Sequence, residues 1–127
     1  MKKSLLFFIL LCIGKIYAQT VTMVNAETFK KRIDAKEGIL IDLRTTEEIK
    51  SKGKIKGARQ IDFLAKDSEK EIEKLDRNKT YLIYCAGGGR SGQCSELMQK
   101  LGFKEVVDLE KGLGDWKNKG YEIEHTN

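Results

Sequence analysis

Short apolar runs alternate with stretches whose apolar residues recur at helical spacing, a pattern that predicts strands and helices in alternation. Val21 to Val24 reads as a short strand, and Asn25 as the cap of a helix through Arg32 or Ile33 with Ala26, Phe29 and Ile33 on one face. Gly38 ends that unit. Ile39-Leu40-Ile41 is a continuous apolar run closed by Asp42, as in a strand buried on both faces. Thr45 or Thr46 can cap a short helix over Glu47, Glu48 and Ile49, and Gly53 and Gly57 bracket a turn before a weak strand near Ile61. Phe63 to Leu75 is charged with sparse apolar positions, which predicts a surface helix or a helix plus loop. Tyr81 to Tyr84 is the second strong buried-strand run. Ser91 to Leu101 reads as a helix with Cys94, Leu97, Met98 and Leu101 on one stripe, stopped by Gly102. Val106-Val107 begins another strand, and Trp116 anchors a last helical turn before Tyr121 and Ile123.

This order predicts an α/β fold: a small parallel sheet with helices on both faces. In such sheets ligands bind beyond the carboxyl ends of the strands. Two loops fall there, Asp42-Leu43-Arg44 and Cys85 to Arg90.

The first eighteen residues stand apart. Lys2 and Lys3 precede an almost unbroken apolar run from Leu5 to Ile13, and Ala18 ends the segment with a small residue. That order predicts a signal peptide over 1–18, cleaved near Ala18/Gln19, and a periplasmic or secreted domain over 19–127. The run is too short for a membrane anchor of roughly 20 residues, and Gly14 and Lys15 interrupt it, so no stable membrane insertion is expected after cleavage. Without 1–18 the chain loses three lysines and no acid, so its formal net charge falls from +5 to +2. The remaining lysines alternate with glutamates, as on a solvated face, and give nucleic-acid binding no support. Length and charge suit one domain, expected as a monomer. The single histidine, His125, lies in a polar tail and no Cys-x-x-Cys pair occurs, so no metal site and no cofactor are expected.

The loop "YCAGGGRSGQC" concentrates the chemistry. Cys85 directly follows the apolar run, then come Ala86, Gly87, Gly88, Gly89 and Arg90. Consecutive glycines cost conformational entropy and are kept where the backbone turns sharply or approaches something closely. A loop so small can turn its amide hydrogens inward, adding them to the free amides of the next helix's first turn. Such a nest favours a thiolate and makes the sulfur a nucleophile. Arg90 adds planar donors suited to an oxyanion. The bland alternative is a glycine-rich turn beside an inert cysteine.

"YCAGGGRSGQCSELMQKLGF" resembles the active-site loop and following helix of single-domain rhodaneses, whose pattern is Cys-x-x-Gly-x-Arg-Ser before an amphipathic helix. "ILIDLRTTEEI", "GKIKGARQI" and "VVDLEKGLGDW" resemble three further elements of that family, in the same order, over Val21 to Ile123. Lys54 stands where the family usually has histidine, and Lys111 where it has the first of two glycines. The resemblance implies sulfur transfer. Cys85 would take the outer sulfur of a small anion such as thiosulfate, and a thiol or cyanide would accept it from the resulting persulfide. Ala86 to Gly89 would hold the persulfide and Arg90 the donor. Arg44 would either reach the same mouth or pair with Asp42.

Three rivals stand beside this reading. Cysteine phosphatases and arsenate reductases on the related fold hold five residues between cysteine and arginine, whereas Ala86 to Gly89 is four. A thiol–disulfide protein would use Cys85 and Cys94, but the helical stripe predicts Cys94 to be a buried core residue. A noncatalytic binding module is the third.

Overall fold

A computed structural model describes residues 19–125, so the expected signal peptide over 1–18 lies outside the described residues. Five strands form one parallel sheet in the order β1-β5-β4-β2-β3. They are β1 (Thr20–Val24), β2 (Ile39–Asp42), β3 (Arg59–Gln60), β4 (Thr80–Tyr84) and β5 (Glu105–Leu109). Helices α1 (Ala26–Asp34), α2 (Thr46–Lys52), α3 (Ser68–Glu73), α4 (Gly89–Lys100) and α5 (Gly112–Asn118) follow the strands in turn.

Alternation along β4 divides the core. Tyr81, Ile83 and Cys85 turn to one face, where they meet Ile72 and Leu75 from α3 and its end, Cys94 and Met98 of α4, and Phe103. Leu82 and Tyr84 turn to the other, against Phe29 of α1 and Leu113 and Trp116 of α5. Each such aliphatic or aromatic side chain taken from water contributes about 1.5–3 kcal/mol before entropy is counted. Because β4 is flanked by β2 and β5, the residue that follows it emerges near the middle of the sheet's carboxyl edge.

The local signals act as their chemistry requires. Asn25 accepts from the Thr28 amide at 2.9 Å and starts α1. Thr45 and Glu48 form a reciprocal capping box on α2. Three boundaries differ from expectation. β3 is Arg59–Gln60 rather than a strand at Ile61, because an edge strand with exposed side chains is held only by backbone pairing to Ile41 and Asp42. Within Phe63 to Leu75 only Ser68–Glu73 is helical. α4 begins at Gly89, two residues before Ser91, because Gly88 takes the left-handed conformation and turns the chain directly into the helix.

Candidate active site

Cys85 leaves β4 and its chain folds back at once. The Gly88 amide donates to the Cys85 sulfur at 3.1 Å and the Ser91 amide at 3.4 Å, while the thiol lies 3.6 Å from Ser91 Oγ, to which it donates. Of the loop amides expected around the sulfur, Gly88's makes the bond, and Ser91 supplies the helix-end partner. Cys85 is buried, at 1% exposure. The loop covers it.

The three glycines are not equivalent. Gly88 has φ +106, and a Cβ there would stand 1.9 Å from the Glu110 carbonyl oxygen. At Gly87 and Gly89 a Cβ would meet nothing within 4 Å. Gly88 therefore makes the turn, and its neighbours keep the outer wall thin. The loop's other side is stitched to α5: the Leu113 amide donates to Cys85 O at 2.9 Å and the Gly114 amide to Ala86 O at 3.3 Å. Gly112, at φ +65, brings α5 this close, whereas Lys111 before it has φ −101, which any residue adopts. The lysine at that departure from the family pattern thus costs the backbone nothing. Lys54, the other departure, donates from Nζ to the Ala58 carbonyl at 3.1 Å.

Arg90 is half-buried and does not stand free over the sulfur. Its Nη1 and Nη2 donate to Glu48 Oε1 and Oε2 at 2.7 and 2.9 Å, locking the first turn of α4 to α2. Arg90 in turn holds the Glu48 carboxyl well below its usual range, at about 2, with the Thr45 amide helping and burial opposing. Arg44 is fully buried. Its Nε and Nη2 grip the two Asp42 oxygens at 3.0 and 2.7 Å, and Nη2 also reaches Gly53 O at 2.7 Å. Tyr84 donates its hydroxyl to Asp42 at 2.6 Å and accepts from the Ile55 amide at 3.0 Å, completing a charged cluster beneath the carboxyl edge. Arg44 also borders a cavity of about 140 Å³ between the loop and α5, with Lys52, Ala86 and Leu113 in its wall.

Cys94 packs on the α4 stripe at 1% exposure, and burial pushes its thiol up to about 12. Both described cysteines are free thiols. Two residues that the sequence reading passed over join the site. Ser91 carries both an amide and a hydroxyl against the sulfur, and Asp108 on β5 lies buried at 1% exposure on the same side of the sheet. Ser91 closes the Cys-x-x-Gly-x-Arg-Ser pattern, whereas Asp108 belongs to no local pattern and is brought near the loop only by the approach of α4 to β5.

The family model for the rhodanese-like domain matches residues 25–119, which spans strands β2 to β5, the cysteine loop and the α5 stitch. The chain belongs to the rhodanese-like domain family. A protein named sulfurtransferase from Allochromatium vinosum is 34% identical over 105 residues, covering 81% of this chain and 94% of that one. Bacillus subtilis YrkF, named as a candidate sulfur carrier, is 32% identical over 103 residues; the match covers 80% of this chain and only 54% of that protein, about half its length. Among solved structures, a rhodanese-related protein from Thermoplasma volcanium shares the rhodanese-like fold with a TM-score of 0.72 at 27% identity, covering 83% of this chain and 99% of that one.

Proposed function

We propose that this rhodanese-like protein is a sulfurtransferase that moves a sulfane sulfur from a donor such as thiosulfate to a thiophilic acceptor through a persulfide on Cys85. The observation that carries the reading is the convergence of the Gly88 and Ser91 amides on a cysteine sulfur at the end of the central strand.

The Cys85 thiolate attacks the outer sulfur of thiosulfate. A sulfur–sulfur bond forms to Cys85 as the bond to the sulfonate sulfur breaks, and the pair of electrons leaves on sulfite. The single negative charge passes to the terminal persulfide sulfur, still beneath the amides, where fixed dipoles stabilise it without reorganising. Cyanide or a thiolate then attacks that terminal sulfur and restores the Cys85 thiolate. Arg90, held by Glu48, supplies positive charge at the loop and fixes the helix that carries the Ser91 amide. The exposed Gly87 and Gly89 form the wall through which small anions approach.

Treatment with thiosulfate should add the mass of one sulfur atom to Cys85, and cyanide should remove it. Cys85→Ser should lose both steps. A Cys85→Ser protein with full transfer activity would refute the assignment. We propose further that residues 1–18 direct export and are removed before Gln19.

A further inference from the structure

Asp108 takes no part in the sulfur chemistry described above. It sits on β5 beside Ile83, on the face that carries Cys85 and α4. Neither carboxylate oxygen has a hydrogen-bond partner, and no ion pair among the described residues includes it. The hydroxyls of Ser91 and Ser95 on α4 confront it. Their hydrogens go elsewhere, Ser91 Oγ donating to Gly88 O at 3.2 Å and Ser95 Oγ to Ser91 O at 2.9 Å. The other titratable groups in its field are the thiol of Cys94, itself beside Cys85, and the carboxylate of Glu110, neither of them cationic. Burial, aided by Glu110 and opposed by the two hydroxyls, pushes the carboxyl above its ordinary range.

A buried carboxylate without donors or a cation is far costlier than the neutral acid. Here the two nearby hydroxyls donate to backbone carbonyls, and the Gly88 and Ser91 amides to the sulfur, instead. We infer that Asp108 is a neutral carboxylic acid in the working protein and donates its hydrogen to Ser91 Oγ, turning the Ser91 hydroxyl toward the Cys85 sulfur.

The step is a rotation of two hydrogens. In the thiol form Cys85 donates to Ser91 Oγ, and Ser91 donates to Gly88 O. When the thiol proton leaves to solvent, the sulfur needs a donor and the Ser91 hydroxyl swings to it from Gly88 O. The hydroxyl oxygen then accepts from Asp108. The thiolate, and after it the persulfide, gains a third donor beside the two amides, and the buried site carries one negative charge rather than two. Asp108 is thus a positioning residue acting through Ser91. As pH rises through the ionisation of Asp108, the new carboxylate charge opposes the thiolate and transfer declines.

The inference rests on Cys85 as the nucleophile, and its first test does not depend on activity. The infrared difference between the wild type and Asp108→Asn at neutral pH should contain the carbonyl stretch of a protonated carboxylic acid. Its absence overturns the inference. Single-turnover persulfide formation at neutral pH should slow about tenfold in Asp108→Leu, which loses the donor. Asp108→Asn keeps a donor and should recover most of that rate, while losing the alkaline decline of the wild type. An unchanged rate in Asp108→Leu, or an alkaline decline that persists in Asp108→Asn, also overturns it. Should Asp108→Leu fail to fold, the infrared band and the Asn profile decide. If the persulfide forms on another residue the proposed function fails, and the infrared band still reports separately on Asp108.

Discussion

Arg90 and Glu48, 42 positions apart, meet in a two-pronged ion pair that clamps the helix after the cysteine loop onto the helix after β2. The guanidinium therefore acts first as a tie between two segments, with its remaining field directed at the loop. Glu48 serves twice, since it also closes the capping box with Thr45.

Removing this tie should cost stability with a definite pH dependence. The folded Glu48 carboxyl is depressed to about 2 by Arg90, so its contribution is complete above the unfolded value of about 4.3 and is lost as pH falls through the folded value. Glu48→Gln should lower unfolding stability by about 1 kcal/mol at neutral pH, the pair being partly exposed. Denaturant titrations should show the gap closing between about pH 4 and pH 2. Persulfide formation should slow several-fold, because Arg90 adjoins the residue whose amide holds the sulfur.

Gly88 and Gly87 should separate sharply. Gly88→Ala forces a side chain into a left-handed turn and against the Glu110 carbonyl, and should cost at least about 2 kcal/mol. It also displaces a sulfur-binding amide, so transfer should fall by about a hundredfold or more. Gly87→Ala opens into free space and should leave the unfolding midpoint close to that of the wild type. Equal destabilisation by the two would contradict the loop geometry.

The two cysteines should differ in alkylation. Cys94 is sealed between α4 and the sheet with its thiol pushed up to about 12, so a short iodoacetamide pulse should spare it until the protein is denatured. Cys85 lies under the glycine loop at the carboxyl edge, with the Gly88 and Ser91 amides on its sulfur, and should be modified first. Cys94→Ala should retain most transfer activity and lose about 1 kcal/mol of stability through the vacated volume. A native disulfide between the two would instead favour redox chemistry.

The size of the loop should also limit which anions can react. With four residues between Cys85 and Arg90 and two amides already drawn to one sulfur, turnover of small aryl phosphates should be negligible. Inserting a glycine between Gly87 and Gly88 should enlarge the nest and weaken sulfur transfer. Robust phosphatase activity in the unmodified protein would show that loop size does not exclude tetrahedral oxyanions.

For the leader, intact mass of the natively produced protein should correspond to a chain beginning at Gln19. A soluble cytoplasmic product that retains residues 1–18 would refute export.

Local chemistry made much of this architecture legible. Ile39 to Ile41 and Tyr81 to Tyr84 are apolar at every position because both faces of their strands are covered, and Asn25 and Thr45 cap their helices through contacts three residues away. β3 gave a weaker signal, since Arg59 and Gln60 are exposed and contribute through backbone alone. At the site, the cysteine and its glycines are adjacent in the chain and could be read together. Glu48 against Arg90, Tyr84 against Asp42 and Asp108 against Ser91 could not. Each pair joins different elements, so nothing in the local spacing marks one partner for the other.

The close fit of Gly88 and Ala86 against Glu110 and Gly112 has a consequence for the order in which the protein is made. A chain still growing beyond Arg90 already holds the cysteine and its three glycines, but not the carbonyl of Glu110 or the amides of Leu113 and Gly114 that shape the loop from outside. The outer supports of the loop are therefore the last of its parts to be made, and its shape should be complete only when the segment from Glu110 to Gly114 docks. Until then the loop lacks its outer supports, and the proposed sulfur chemistry should begin only with completion of the fold.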